Sequence, residues 1–259
     1  MSDENFDIVE LFRDLVYKRL GIHLSPDRKY ILELKLNKML LKDKTKDLKN
    51  LYEAIKNGDE KAFETLTHFI TTNHTFFFRE SEHFQILVNL IKKSGKKSPI
   101  IWSAATSTGE EVYSIIISLL ESNINDFTVI ASDIDKNVLL KMKEGIYRQD
   151  CLKGVEPSLK LKYFNKIQGG SYRVSEKLKK NIFIKKINLI DDFILEKKAD
   201  YIFCRNVMIY FDIETRKKVI ETLLDNLSED GYLFIGHSEN LFNITDKVET
   251  AFVSVYKKR

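Results

Sequence analysis

Two carboxylates stand where strand–loop–helix units hold ligands. Glu110 follows the apolar run Ile100–Ala104 across a short polar loop containing Gly109, and it opens a helical pattern reaching about Leu120. Asp133 closes the next apolar run, which begins near Thr128, roughly 20 residues later. A strand that runs through a tight loop into a helix sets backbone N–H groups beside a ligand. An acid at the end of the following strand suits a pair of ribose hydroxyls. The loop has neither the three glycines of a dinucleotide fingerprint nor the Gly-Lys-Ser/Thr of a phosphate loop. A pyrophosphate ligand is therefore disfavoured, and S-adenosylmethionine, with one ammonium group and two ribose hydroxyls, is the better candidate. Glu110 has a second reading, because Ser107-x-x-Glu110 is a capping-box pattern that would steady the helix start without a ligand. Asp135 is the rival of Asp133 and reads as the cap of the next helix.

Further polar residues cluster where apolar runs end. Ile202–Asp212 reads as a strand closing on Arg205 and Asn206, with Tyr210 in the loop and Asp212 capping a helix. A buried Arg205 would need ion-pair partners. Thr71–Glu80 holds three phenylalanines and Arg79, and taken alone it reads as a hydrophobic junction with a solvated arginine. Gly236–Asn240 (GHSEN) lacks the second glycine of a nucleophile elbow, which argues against a hydrolase serine. The five histidines have no HExxH or comparable spacing, so the sequence indicates no metal. Cys151 and Cys204 lie outside any CxxC spacing and read as reduced thiols.

These groups need a scaffold, and 259 residues with a 43% apolar share can bury a sizeable core. The first seventy residues or so read as helices. Ile8, Leu11, Phe12, Leu15 and Val16 form one apolar face, and Ser25–Pro26 starts a second helix with the stripe Leu32, Leu36, Met39 and Leu40. Arg28, Lys35, Lys38, Lys42 and Lys49 would line one side of that helix as a basic strip suited to steering an acidic partner. Shorter helices follow over Leu48–Lys56 and Asp59–Ile70. From Ser98 strands and helices alternate, with strands at Ile100–Ala104, Thr128–Ser132, Tyr201–Cys204 and Tyr232–Ile235. Such short apolar runs predict an α/β doubly wound sheet. The stretch Ile146–Ile187 is too long for an ordinary crossover and carries a Gln168–Ser171 turn, so it is expected to be a small antiparallel insert. No apolar run reaches the roughly 18 residues of a membrane span, and the polar, acidic MSDENFD start is unlike a signal peptide. A cytoplasmic protein without direct membrane insertion is expected. The net charge of +4 is mild, and no [DN]PPY motif is present, so no nucleic-acid partner is expected.

The combined motifs resemble the CheR family of chemotaxis methyltransferases. They are NHTFFFRE (Asn73–Glu80; family pattern NxTxFFRE), WSAATSTGEEVYS (Trp102–Ser114), ASDID (Ala131–Asp135), INL (Ile187–Leu189), FCRNVMIYFD (Phe203–Asp212) and GHSEN, in family order. The resemblance implies an all-α N-terminal domain over residues 1–72 that recognises the receptor. A Rossmann-like S-adenosylmethionine-dependent methyltransferase sheet over 73–259 would follow, with the β-subdomain inserted at about 146–187. It implies methyl transfer to glutamate side chains of methyl-accepting chemoreceptors, with S-adenosylhomocysteine as product. It assigns cofactor contacts to Asn73, Thr75, Arg79, Ala104, Glu110, Asp133, Asn188, Leu189, Arg205 and Asn206, and puts Arg79 and Tyr210 beside the transferred methyl group. The partners it implies are the cytoplasmic helical region of the receptors and, for some, a C-terminal tether peptide. Thr106 and Val112 depart from the small or proline residues common in the family.

Overall fold

The computed structural model describes residues 3–25, 29–42 and 47–259. They form two compact units, Met1–Thr72 with Tyr210–Thr215, and Asn73–Ile209 with Arg216–Arg259.

The first unit is helical, with α1 (Asp3–Leu20), α2 (Lys29–Lys42), α3 (Leu48–Lys56) and α4 (Glu60–Ile70). Helical spacing sends Ile8, Phe12, Val16 and Leu20 of α1 into a core shared with Leu32, Leu36 and Met39 of α2, Leu51 and Ile55 of α3, and Leu66 and Ile70 of α4. Leu11, expected on the buried face, is exposed, because a single α-helical stripe starting at Ile8 turns position 11 away from Phe12 and Val16. Asp47 caps α3 by accepting from Lys49 N, and Asp59 caps α4 by accepting from Ala62 N. Pro26, Arg28 and the Lys42 side chain lie outside the described residues. The basic strip does not stand as expected. The Lys35 ammonium is half-buried and donates to the Ile70 carbonyl and to Thr72 Oγ1. Burial lowers its pKa, and Lys49 belongs to α3, not α2. Tyr210–Thr215 is held in this unit through His23 N donating to the Tyr210 carbonyl at 2.8 Å, an Ile22–Phe211 bridge, and the Tyr17 hydroxyl donating to Asp212 Oδ2 at 2.6 Å.

The second unit opens with α5 (Glu82–Ser94) and continues through β1 (Ile100–Ser103), α6 (Glu110–Glu121), β2 (Thr128–Asp133) and α7 (Lys136–Glu144). Then come β3 (Ile146–Tyr147), α8 (Pro157–Tyr163), β4 (Phe164–Lys166), β5 (Tyr172–Val174), β6 (Ile182–Lys186) and β7 (Ala199–Cys204). The chain ends with α9 (Ile213–Asp225), whose first residues belong to the helical unit, and with β8 (Leu227–Ile235), β9 (Val248–Phe252) and β10 (Val255–Lys258). The large sheet has the order β6-β2-β1-β7-β8-β10-β9. Its first five strands are parallel, and β10 runs antiparallel to both neighbours. Chain order reverses direction across β1, which lies between β2 and β7, and that is where open sheets bind ligands. A separate three-stranded antiparallel sheet, β3-β5-β4, forms the insert, with the expected hairpin turn at Gln168–Gly170.

One expectation is corrected here. Ile182–Lys186 is not part of the insert: it pairs parallel with β2 as an edge strand of the large sheet, Val129 opposite Ile182 and Asp133 opposite Lys186. The α/β sheet stands as expected, and β9 and β10 add to it an antiparallel end that apolar runs did not announce. The core between helices and sheet includes Leu87 and Ile91 of α5, Ile101, Ile115, Val129 and Phe203.

Candidate functional site

The loop after β1 is shaped by backbone that only a few residues tolerate. Gly109 has φ +96°, and a Cβ there would sit 2.3 Å from Met142 Cγ, so a side chain is excluded both by conformation and by space. Ser107, with φ 51°, is also left-handed. The capping box is not formed. Gly109 is the N-cap residue of α6 with no side-chain cap bond, and Glu110 instead accepts from Thr108 Oγ1 at 2.7 Å. The physical reason is the left-handed turn at Ser107, which hands its N–H to Asp133 Oδ2 at 2.9 Å and leaves its buried hydroxyl without a hydrogen-bond partner among the described residues. Main-chain bonds fix the loop to both neighbouring strands, Ala104 N to the Phe203 carbonyl and Thr106 N to the Ser132 carbonyl.

Asp133 joins several elements at the end of β2. One carboxylate oxygen accepts from Ser107 N, the other from Asp135 N at 3.0 Å, and its carbonyl accepts from Ile187 N at 3.1 Å. That last bond brings Asn188 and Leu189 to the same strand end. Burial pushes the Asp133 pKa up to about 6, against the pull of the two N–H donors. Burial likewise raises Glu110, with the Thr108 hydroxyl opposing. Asp135 does cap α7, accepting from Asn137 N, and it also accepts from Asn73 Nδ2 at 3.3 Å. Asn73 therefore meets the β2 loop. The structure thus gathers Asn73, Ala104, Glu110, Asp133, Asn188 and Leu189 around the carboxyl ends of β1 and β2.

A second group forms at the end of β7. The Arg205 side chain is buried and donates to Glu80 Oε2 at 3.0 Å, to Glu111 Oε2 at 3.2 Å and to the Arg79 carbonyl. Its guanidinium is therefore engaged by protein groups at the end of β7. Asn206, left-handed at φ 58°, donates Nδ2 to Glu80 Oε1 at 3.2 Å. Its N–H goes to Glu239 Oε2 at 2.9 Å, and Glu239 also accepts from Met208 N and Gly236 N. Against the cost of burial, the Arg205 charge and the Asn206 amide hold the Glu80 carboxyl below its ordinary range. Burial raises Glu111, and Arg205 pulls it back. Phe78 and Glu80 have φ of 58° and 53°, so the NHTFFFRE segment keeps strained backbone next to this cluster. Phe77 anchors the segment, edge-on to Tyr147 at 5.0 Å and to Phe164 at 5.2 Å, and Phe78 N donates to Ser114 Oγ. Arg79 folds back, NH1 donating to the His74 carbonyl at 3.0 Å with its guanidinium 5.8 Å over the Phe76 ring. Thr75 lies half-buried between them.

Tyr210 ends the short turn Met208–Tyr210 and is grouped with the helical unit, so it is not among the side chains the second unit brings together. Glu80, Glu111 and Glu239 are the residues that sequence reasoning missed. Their signal was present as the final glutamate of NHTFFFRE, the second glutamate of TGEE and the glutamate of GHSEN.

Two neighbouring family models cover nearly the whole chain: the all-alpha domain of CheR methyltransferases matches residues 8–71, and the CheR methyltransferase SAM binding domain matches residues 73–257. A chemotaxis protein methyltransferase of Borreliella burgdorferi is 40% identical over 263 residues, covering 94% of this chain and 91% of that protein. The chemotaxis protein methyltransferase of Escherichia coli is 35% identical over 267 residues, covering 99% and 91%. Among solved structures, magnesium protoporphyrin IX methyltransferase from Synechocystis with bound SAH is similar at a TM-score of 0.36 and 15% identity, over 60% of this chain and 54% of that one. The two matched domains and the near full-length relatives show that the chain belongs to the CheR methyltransferase family, an all-α domain followed by a domain that binds S-adenosylmethionine.

Proposed function

We propose that this chain transfers the methyl group of S-adenosylmethionine to glutamate carboxylates of methyl-accepting chemoreceptors, forming methyl esters in the cytoplasm. The observation that carries the reading is the pair of buried, little-compensated carboxylates, Glu110 and Asp133, at the ends of β1 and β2 in a domain of this family. Asp133 would accept from the ribose hydroxyls and Glu110 would face the ammonium group, which matches the residue types and the site's raised proton affinities. Asn73, Thr75, Ala104, Asn188, Leu189 and Asn206 would complete the cradle. When bound, the cofactor supplies a methyl group on a positively charged sulfur, with a neutral thioether as leaving group.

The substrate acid has an ordinary pKa of ~4.3 and is ionised at neutral pH, so the chain needs no general base. Its task is to align the carboxylate and strip water from it. Arg79 is the group we assign to steering the acid, since its present partners are a carbonyl and a ring face, both exchangeable for a carboxylate. Tyr210 is assigned to orienting the acceptor by its hydroxyl. Arg205 acts through Arg79 and Glu80 as a positioning residue. The β3-β5-β4 sheet, whose edge strands can accept an added strand, is assigned to docking a receptor tether peptide.

The test is a labelled-methyl assay on receptor cytoplasmic fragments, with nucleic acid as control. Alkali-labile label on the fragment is expected, and Arg79→Ala and Tyr210→Phe should slow transfer with the fold intact. Label that survives alkali, or appears only on nucleic acid, would defeat the glutamate assignment. For the insert, shortening the Gln168–Ser171 turn should weaken binding of a receptor tail peptide, and unchanged binding would remove the sheet from docking.

A further inference from the structure

Glu80, His83 and His237 come from three stretches of the second unit: the end of NHTFFFRE, the first turn of α5 and the loop after β8. One ligand atom of each lies within 4.8 Å of the others. The two imidazoles meet edge to face, with centroids 4.9 Å apart. His83 Nδ1 is 3.7 Å from Glu80 Oε2, too long for a hydrogen bond.

His83 is the unexplained residue. It is 0% exposed, and among the described residues neither ring nitrogen makes a hydrogen bond; the Val253 carbonyl faces the ring without meeting that geometry. An idle buried donor and acceptor are costly, and nothing in methyl transfer uses them. Two imidazole nitrogens and a carboxylate are the donor set of an open three-ligand site for a borderline divalent ion. Metal–ligand bonds of about 2.0–2.2 Å require ligand atoms roughly 3.3–3.5 Å apart. The cluster is therefore one side-chain adjustment from closing, and the exposed His237 is the residue able to make it.

We propose that Glu80, His83 and His237 form a binding site for one divalent transition-metal ion of the Zn2+ class, with water in the fourth position. His237 provides the access route from solvent. Glu80 already accepts from Asn206 through Oε1 and from Arg205 through Oε2, and a carboxylate retains lone pairs beyond those bonds. The metal shares Glu80 with both. The nearby Arg205 cation lowers the affinity, which sets this apart from a structural metal site.

The experiment titrates the untagged full chain, without S-adenosylmethionine, with Co2+ alone and follows visible absorption. One equivalent with the bands of a four-coordinate ion, displaced by Zn2+, is expected. His237→Ala should weaken binding by at least about tenfold, since it removes one of three protein ligands. His83→Phe should abolish the bands; if that variant does not fold, His237→Ala decides alone. Cys151→Ser, which removes the partly exposed thiol, should bind as the wild type does. Absence of the bands, equal binding by wild type and His237→Ala, or loss of binding in Cys151→Ser would each overturn the site.

Discussion

The strand ends of β1 and β2 and those of β7 and β8 both bury carboxylates, but they compensate them in opposite ways. At β7 and β8 the acids are answered within the protein: Glu80 and Glu111 by Arg205, Glu239 by three backbone N–H groups. At β1 and β2, Glu110 has one hydroxyl and Asp133 two N–H groups, with no cation paired to either among the described residues, and burial raises both. The first arrangement is closed and rigidifying. The second is held short of partners, which is the state expected of a site that completes itself with a ligand's ammonium and hydroxyls. Burial raises Glu111 and Glu239 as well, so the kind of partner, a cation or convergent N–H groups against sparser polar contacts, separates the scaffold acids from the binding acids.

The comparison breaks most visibly at Arg205. Arg205→Met should destabilise the second unit by about 3–5 kcal/mol, because it removes a buried guanidinium and strands the half-buried Glu80 and Glu111 together. A urea titration reads this, and a loss under about 1 kcal/mol would mean the cluster is not closed. Adding Glu111→Gln should restore part of the loss.

Asp133 tests the other side. Its folded pKa of about 6 exceeds the ordinary ~3.9, so the folded protein holds this proton more tightly than the unfolded chain. Cofactor-free protein should therefore lose stability as pH rises from about 4 to about 6, on the order of 2–3 kcal/mol for this group. Binding of S-adenosylhomocysteine to the ionised acid should weaken as pH falls below about 6, by up to about tenfold per unit. Calorimetry across that range checks both, and Asp133→Asn should flatten the dependence while costing about 1.5–3 kcal/mol of affinity at neutral pH. A wild-type binding profile flat through pH ~6 would exclude Asp133 from the ligand.

The smallest effect is expected at Ser107, whose buried hydroxyl has no partner among the described residues. Ser107→Ala should leave cofactor-free stability within about 0.5 kcal/mol, yet weaken cofactor binding if that hydroxyl is kept for the ligand. Equal affinity in the variant would make the orphan hydroxyl a feature of the loop alone.

These contrasts also mark what the sequence could disclose. The buried strands β1, β2 and β7 are apolar runs bounded by polar loops, and such runs reveal themselves locally. The positions of Glu110 and Asp133 were legible for the same reason, since Asp133 closes such a run and Glu110 follows one across a short polar loop. Compensation was not legible: Arg205 finds Glu80 125 residues away and Glu111 94 away, separations with no local pattern. Ile182–Lys186 fell inside the expected insert because it follows the hairpin in sequence, but its apolar character serves parallel pairing with β2. The β9 and β10 strands mix charged and apolar residues, as half-solvated antiparallel strands do, and so gave no continuous run. The capping box failed because a left-handed backbone at Ser107 overrode a good local match.

The place of β10 has a consequence for how the chain is made. Val255–Lys258 lies between β8 and β9, although β9 precedes it in sequence. During translation β9 therefore emerges with no strand to pair with, and the edge of β8 stays bare until Val255–Lys258 has cleared the ribosome. An exposed parallel-sheet edge is a template for other chains. Until β10 pairs, that edge is where a growing chain is most open to aggregation, and the pairing of Val255–Lys258 is the step that seals it.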